Sequence, residues 1–148
     1  MQGMGVSCRG PGFKMATGSY RDLRVWSEAI ELVEHIYRVT QEFPKHETFG
    51  LTSQMQRAAI SVPANIAEGN TREHLKEYLH RVSLAQASLA ELETHLEIAA
   101  RLGYGSSEQI KRLMDRVVSL GKQLYALRNA LRRKETGAIG LRGRRHSP

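Results

Sequence analysis

The sequence predicts an all-α protein, an antiparallel four-helix bundle with up-down-up-down topology. Between Tyr20 and Lys134, apolar residues recur at alternating spacings of three and four, which places them along one side of each of four helices. No stretch shows the strict alternation expected of a half-buried β-strand. The connections between the four stretches are short, and short connections favour antiparallel neighbours. We therefore assign residues 20–134 to the bundle.

Each helix is expected to bury its apolar row. The third row runs from Leu75 to Ala99 and the fourth from Ile110 to Leu131. The second row consists of Leu51, Met55, Ala58, Val62 and then either Asn65 or Ile66. The first row consists of Leu23, Trp26, Ile30, Val33, Tyr37 and Thr40.

The helix boundaries carry recognisable signals. Pro44 follows the first helix, and Gly69 is placed to end the second. Asn70 is then predicted to cap the third helix. Ser106 is predicted to cap the fourth, with Gln109 completing a reciprocal capping box.

Composition indicates a cytoplasmic globular protein. Hydrophobic residues make up 41% of the 148 residues and charged residues 25%, and no apolar run approaches a membrane span. The N-terminus lacks the apolar core of a secretory signal, and a single cysteine excludes an internal disulfide. We predict a disordered leader over residues 1–19 and a basic disordered tail over residues 135–148.

The net charge of +7 is unevenly distributed. Residues 1–19 contribute +2 and residues 132–148 contribute +5, so the remainder of the chain is neutral. Within that neutral body, the fourth helix is basic and the first is acidic. The isoelectric point near 9.9 therefore describes the ends of the chain more than its folded part.

The sequence offers little support for catalysis. A carboxylate-bridged metal site in a bundle needs two Glu-x-x-His motifs, whereas this chain has one, Glu77 with His80, which points away from the core row. Glu91 and His95 are expected to form a surface pair. No phosphate-binding loop, nucleophile elbow or zinc spacing is present. We expect no enzymatic activity, metal or cofactor, and a metal-dependent enzyme is the weaker alternative.

The segment from Arg57 to Gly69 raises a separate question, because it places a proline and an asparagine inside an apolar helix. Pro63 removes one helical hydrogen bond, freeing the carbonyl of Ala59, and kinks the helix. Asn65 is expected to satisfy a backbone carbonyl freed in this way or a neighbouring helix. A second row of small and polar residues is interpreted as either a subunit interface or a solvent face; it consists of Gln54, Arg57, Ser61, Ala64 and Glu68.

These residues resemble a known family. The segments Tyr20–Trp26, Phe43–Leu51 and Gln54–Gly69, together with Ser88–Thr94, resemble the bacterial 23S rRNA intervening-sequence protein family over about residues 20–131. The resemblance implies a four-helix bundle, a homopentamer and no established enzymatic activity. The family is similar in fold to accessory variability proteins of diversity-generating retroelements, which bind a reverse transcriptase and nucleic acid; for this chain that comparison is an analogy of fold.

The leading functional hypothesis is a non-enzymatic, homo-oligomeric bundle that binds RNA or a nucleoprotein through the fourth helix and the tail, with RNA or DNA as the nucleic-acid partner. Aromatic residues are scarce, so binding is expected to read backbone and shape without base stacking. The alternatives are a protein adaptor, for example for a reverse transcriptase, or a merely solubilising surface. The predicted nucleic-acid-binding residues are Lys111, Arg112, Arg116, Lys122, Arg128, Arg132, Arg133, Lys134, Arg142, Arg144 and Arg145.

Overall fold

The computed structural model describes residues 19–143, and the regular structure in this range is entirely helical. Two short 3-10 segments, Tyr20–Asp22 and Lys45–Glu47, precede the first and second helices. The four α-helices are α1 (Arg24–Thr40), α2 (Leu51–Asn70), α3 (Leu75–Leu102) and α4 (Ser107–Gly143).

The helices surround a single hydrophobic core. Helix α1 packs against α2 and α4, and α3 packs against the same two helices, so each helix contacts its neighbours in sequence. The most extensive pairing is that of α2 with α3. The predicted all-α four-helix bundle is confirmed. The rows predicted for α3 and α4 are also confirmed at their centres, since Leu92, Leu96, Leu120 and Leu124 are fully buried.

The row predicted for α1 is wrong by about one residue. The buried residues of this helix include Val25, Ala29, Leu32 and Ile36, whereas Tyr37 is 39% exposed. Helix α1 contains two apolar rows with the same spacing, offset by about one residue. The prediction chose the more exposed row because that row contains the bulky Trp26 and Tyr37. The inner row contains Ala29, whose small side chain suits close packing against neighbouring helices.

The boundary between α2 and α3 also differs from its prediction. Helix α2 continues through Gly69 to Asn70, and α3 begins at Leu75 without a side-chain cap. Asn70 donates a hydrogen bond to the hydroxyl of Tyr78 instead of capping α3. Gly69 is buried, and a Cβ atom there would lie 2.6 Å from Cδ2 of Tyr78. Gly69 therefore permits close packing of α3 and does not terminate α2.

The polar residues of α2 form a seam with α3. Asn65 donates hydrogen bonds to the carbonyl and hydroxyl oxygens of Ser61, at 2.8 and 3.0 Å. The hydroxyl of Ser88 on α3 donates to the hydroxyl of Ser61 at 2.8 Å. The Asn65 amide thus donates to Ser61 and not to the Ala59 carbonyl that Pro63 frees. The Asn65 side-chain oxygen accepts from the Arg81 guanidinium of α3 at 3.5 Å, which is the alternative predicted contact with a neighbouring helix. Pro63 itself is buried, and of the two residues predicted for the next core position, Asn65 and Ile66, it is Ile66 that is fully buried.

Helix α4 begins as predicted. The backbone N–H of Gln109 donates to the Ser106 hydroxyl at 3.1 Å, and the backbone N–H of Ser106 donates to the Gln109 side chain at 3.1 Å. The predicted capping box is therefore present. The capping box provides hydrogen-bond acceptors for two backbone N–H groups at the start of the helix that would otherwise be unpaired.

The end of α4 requires a correction. The prediction of a disordered tail from residue 135 is wrong for residues 135–143, which continue the helix to Gly143. No proline occurs between Ser107 and Gly143, and the glycines at 137 and 140 lower helix propensity without blocking the hydrogen-bond ladder. The predicted disorder of residues 1–18 and 144–148 lies outside the described residues.

We expect Gly69→Ala to destabilise the bundle by about 1–3 kcal/mol, the usual effect of overpacking a well-filled interior. The added methyl group would meet Tyr78 and would also lie 3.0 Å from Cβ of Arg81, which cannot rotate away. Urea denaturation monitored by circular dichroism measures the change. Gly121→Ala is the matched control.

A Cβ atom at Gly121 would lie 3.6 Å from Leu89, which is an ordinary contact distance. Alanine is favoured over glycine inside a helix by up to about 1 kcal/mol. Gly121→Ala should therefore leave stability unchanged or raise it. Equal stability of the Gly69→Ala variant and the unmodified protein would contradict the close-packing interpretation.

Candidate nucleic-acid interface

Helix α4 concentrates positive charge. It carries nine lysine and arginine residues against three acidic residues, a net charge of +6. No carboxylate occurs along the chain between Asp115 and Glu135. A run of cations without carboxylates between them favours contact with a polyanion. Helix α4 is therefore the candidate nucleic-acid interface.

The predicted basic residues do not form one stripe. At about 100° per residue, Arg112 and Arg116 lie on the α1 side of α4, Lys122 points outward, and Arg132 lies on the α3 side. Arg128 is half-buried, and the exposed members of the set are Lys111, Arg112, Arg116, Lys122, Arg132, Arg133 and Lys134. Arg142 belongs to α4, but its side chain lies outside the described residues, as do Arg144 and Arg145 entirely.

Two of the predicted residues meet two residues of α1 that were not predicted. Arg112 and Arg116 of α4 line a cavity of about 310 Å³ together with His35 and Arg38 of α1. Four side chains able to carry positive charge thus converge from two helices. We call this cavity the α1–α4 basic cavity.

Carboxylates offset part of this charge. The carboxylate of Glu31 lies 3.6 Å from the Arg116 guanidinium, and that of Glu34 lies 3.5 Å from the Arg38 guanidinium. All four of these side chains are substantially exposed, so the pairs add little to stability. Arg112 has no ion pair within residues 19–143. Its guanidinium is therefore free to engage an anion.

The environment of His35 reflects the excess of positive charge. Burial lowers the pKa of His35, and the nearby guanidinium groups of Arg116 and Arg38 lower it further. The imidazole is accordingly kept neutral at physiological pH.

A hydrogen bond elsewhere along α1 and α4 helps to hold the two helices together. The Gln123 side-chain amide donates to the carboxylate of Glu28. This bond, together with the hydrogen bond and charge of Arg24, lowers the pKa of Glu28. The contact joins α1 and α4 at a point along the bundle away from the basic cavity.

The small-residue row of α2 lies at the edge of α3. Glu68 finds its partner within the chain, since its carboxylate lies 2.8 Å from the Arg81 guanidinium of α3. Arg57 is exposed and makes no ion pair within the part of the chain that the structure describes. Gln54 and Ala64 are also exposed, whereas Ser61 is half-buried.

Helix α3 exposes several apolar residues. Leu84 is 36% exposed, Ile98 42% and Leu102 56%, and Ala87 is exposed between them. We call the surface formed by Arg57, Ala64, Leu84, Ala87 and Ile98 the α2–α3 face.

No group of three or more metal-ligating side chains occurs within residues 19–143. Glu77 and His80 are both exposed, as their helical positions predicted. The prediction that Glu91 and His95 form a surface pair is wrong for the histidine. His95 is only 6% exposed, its Nδ1 atom has no hydrogen-bond partner among the described residues, and its Nε2 atom lies 3.7 Å from the Glu91 carboxylate. In the same range, no helix is sufficiently long and apolar to cross a membrane.

His35 and Arg38 were missed because their positions carry only a weak signal. They lie three residues apart and so share a side of α1, but α1 as a whole is acidic. Only the pairing of α1 with α4 reveals that this local basic pair faces Arg112 and Arg116. The net charge of α1 is negative, so a sum of charge over the whole helix does not reveal the basic pair His35 and Arg38.

The architecture and surface together define a four-helix bundle with a basic fourth helix. The chain belongs to the 23S rRNA-intervening sequence protein family, whose profile matches residues 21–126. This finding confirms the resemblance seen in the sequence.

A solved structure supports the fold. The chain is similar to a protein of unknown function from the S23 ribosomal protein family of Bacteroides thetaiotaomicron, with a TM-score of 0.66 and 21% sequence identity. The similarity covers 71% of this chain and 95% of the other. No curated protein matches the chain.

We expect stability to depend on pH through His35. Folding lowers the His35 pKa, so the unfolded chain binds this proton more tightly than the folded chain. The stabilising contribution is present above the ordinary pKa of about 6.5 and is lost progressively as the pH falls below it. Urea denaturation between neutral and mildly acidic pH should show this loss.

His35→Gln removes the titrating group and should flatten the profile in this window. The control is His80→Gln, because His80 is exposed on α3. Identical profiles for His35→Gln and the unmodified protein would contradict the assignment.

Proposed function

We propose that this protein is a non-enzymatic, homo-oligomeric bundle that binds RNA, alone or within a nucleoprotein, through α4 and the basic residues that follow it. The observation that supports this most directly is the α1–α4 basic cavity. His35, Arg38, Arg112 and Arg116 converge there from two helices. Such convergence provides a defined position for a phosphate group beyond a diffuse surface charge.

Arginine suits this role because its planar guanidinium can offer two parallel hydrogen bonds to a phosphate. Arg112 is exposed and lacks an ion pair within residues 19–143, so binding would cost no existing pair. Further exposed cations lie on other sides of α4, with Lys122 pointing outward and Arg132 on the α3 side. The proposed ligand therefore passes around α4 from the cavity towards the C-terminal half of the helix.

An oligomer would multiply this surface. Several weak contacts, brought together in a ring of subunits, raise the overall affinity for a long polyanion without any new contact per subunit. The α2–α3 face is the proposed subunit contact, because it exposes the apolar Leu84 and Ile98 together with the small Ala64 and Ala87. Small residues allow another helix to approach closely.

A second candidate function is a protein adaptor, such as an accessory subunit of a reverse transcriptase. One specific observation favours it: Phe49, in the connection before α2, is 96% exposed. Exposed aromatic side chains often anchor protein partners. Affinity capture followed by nuclease treatment separates the two functions, since a protein partner that survives nuclease supports the adaptor.

RNA binding should be salt-dependent and tolerant of sequence. The logarithm of the association constant is expected to fall linearly with the logarithm of salt concentration. The double variant Arg112→Gln, Arg116→Gln should bind more weakly and reduce that slope by about 2, or about 1 for each lost phosphate contact. Fluorescence anisotropy with a labelled RNA measures both quantities.

The matched control is Arg101→Gln on α3, where the side chain is 80% exposed and pairs with Glu97. Its affinity and slope should remain those of the unmodified protein. A version ending at Leu131 tests the contribution of the C-terminal part of α4. Absence of RNA binding by the unmodified protein at low salt would refute the proposal.

Ala64→Trp should reduce the size of the oligomer measured by light scattering, because the indole would obstruct the α2–α3 face. Helicity should be retained, since Ala64 is exposed within the single chain. Ala90→Trp, at an exposed position on the other edge of α3, is the control. An oligomer unchanged by Ala64→Trp would exclude this face as the subunit contact.

A further inference from the structure

The outer side of α4 exposes an aromatic ring among cations. Tyr125 is 61% exposed, and its hydroxyl makes no hydrogen bond within the described range 19–143. Gly121, one turn earlier, faces Leu89 of α3, so Tyr125 lies at the edge of α4 nearest α3. It is thus on the opposite edge of α4 from the basic cavity. The ring packs into neither the core nor the ring pairs found elsewhere in this range.

The neighbours of Tyr125 on the helix surface are basic. Lys122, Arg128 and Arg132 lie three residues before, three after and seven after Tyr125, and all fall within about 60° of it around the helix axis. None of the three forms an ion pair within residues 19–143. Lys122 and Arg132 are exposed, and Arg128 is half-buried. An accessible ring is therefore flanked along the helix by unpaired cations.

This combination has a defined chemistry. Proteins that bind single-stranded nucleic acid combine cations that track the phosphate backbone with aromatic rings on which bases stack. In a duplex the bases are already stacked on one another and are inaccessible to such a ring. A ring placed between cations therefore distinguishes unpaired strands from duplexes, which cations alone do not.

We infer that Tyr125 is a base-stacking residue and that the ligand of α4 is single-stranded RNA, with Lys122, Arg128 and Arg132 holding the flanking phosphates. This inference rests on the proposed RNA binding and narrows its substrate class. It also revises the expectation that few aromatic residues exclude stacking. The composition gives only the number of aromatic residues. Stacking requires one aromatic ring that is exposed beside the cations that bind the phosphate backbone.

The test compares Tyr125→Leu and Tyr125→Phe in the full-length protein. The probes are a labelled unpaired RNA that carries a fluorescent purine analogue and a duplex RNA of the same length. Tyr125→Leu should weaken binding to the unpaired RNA at least about fivefold, the lower end of the usual effect of losing one stacked base. Tyr125→Phe keeps the ring and should bind as the unmodified protein does.

Three further readouts make the result specific. Fluorescence of the purine analogue should be quenched by the unmodified protein and by Tyr125→Phe, but not by Tyr125→Leu. The salt slope should be the same for all three, because no charge is removed. Duplex binding should be unaffected by either substitution. Circular dichroism verifies that the variants remain folded.

The outcomes separate this inference from the proposed function. If the unmodified protein binds unpaired RNA and Tyr125→Leu binds it equally well, stacking is refuted and RNA binding stands. Equal losses for unpaired and duplex RNA would likewise refute stacking, since a general change of the surface would explain them. If the unmodified protein binds neither RNA, the proposed function fails and the inference fails with it.

Discussion

The close approach of α2 and α3 is the constraint on which the rest of the bundle depends. Gly69 has no room for a Cβ atom against Tyr78, and the Ser61 and Ser88 hydroxyls meet at 2.8 Å across the same pair of helices. Small side chains allow backbones to approach, and the polar groups brought inward must then find partners. The hydrogen bonds of Asn65 and the ion pair between Glu68 and Arg81 meet that requirement.

Helix α4 takes no part in the α2–α3 seam. Helix α4 contributes Leu120 and Leu124 to the core and is tied to α1 by the hydrogen bond between Gln123 and Glu28. Its outward side is not needed for packing and can accumulate cations at little cost to folding. Repulsion among exposed charges is weakened by water and salt. Cations on the outer side of α4 therefore leave the α2–α3 seam undisturbed.

Periodicity predicted the existence of every helix, and local chemistry predicted the start of α4. The capping box at Ser106 and Gln109 involves residues three apart, so the sequence specifies it completely. The inner row of α1 could not be chosen in the same way, because two rows of equal spacing compete and the choice depends on which neighbours approach. Gly69 was misread as a helix stop for a related reason. Glycine serves both turns and close packing, and only the position of Tyr78 distinguishes the two roles.

The sequence by itself determined the helical fold, the family and the concentration of positive charge on α4. Those properties depend on residue type and on spacing within one helix, and both can be read directly from the sequence. The tertiary structure alone decided that His35 and Arg38 face Arg112 and Arg116, and that Tyr125 remains exposed. A helical pattern specifies a face relative to its own axis. Which residues of a distant helix lie against that face is settled by packing, here by how α1 and α4 pack together in the completed bundle.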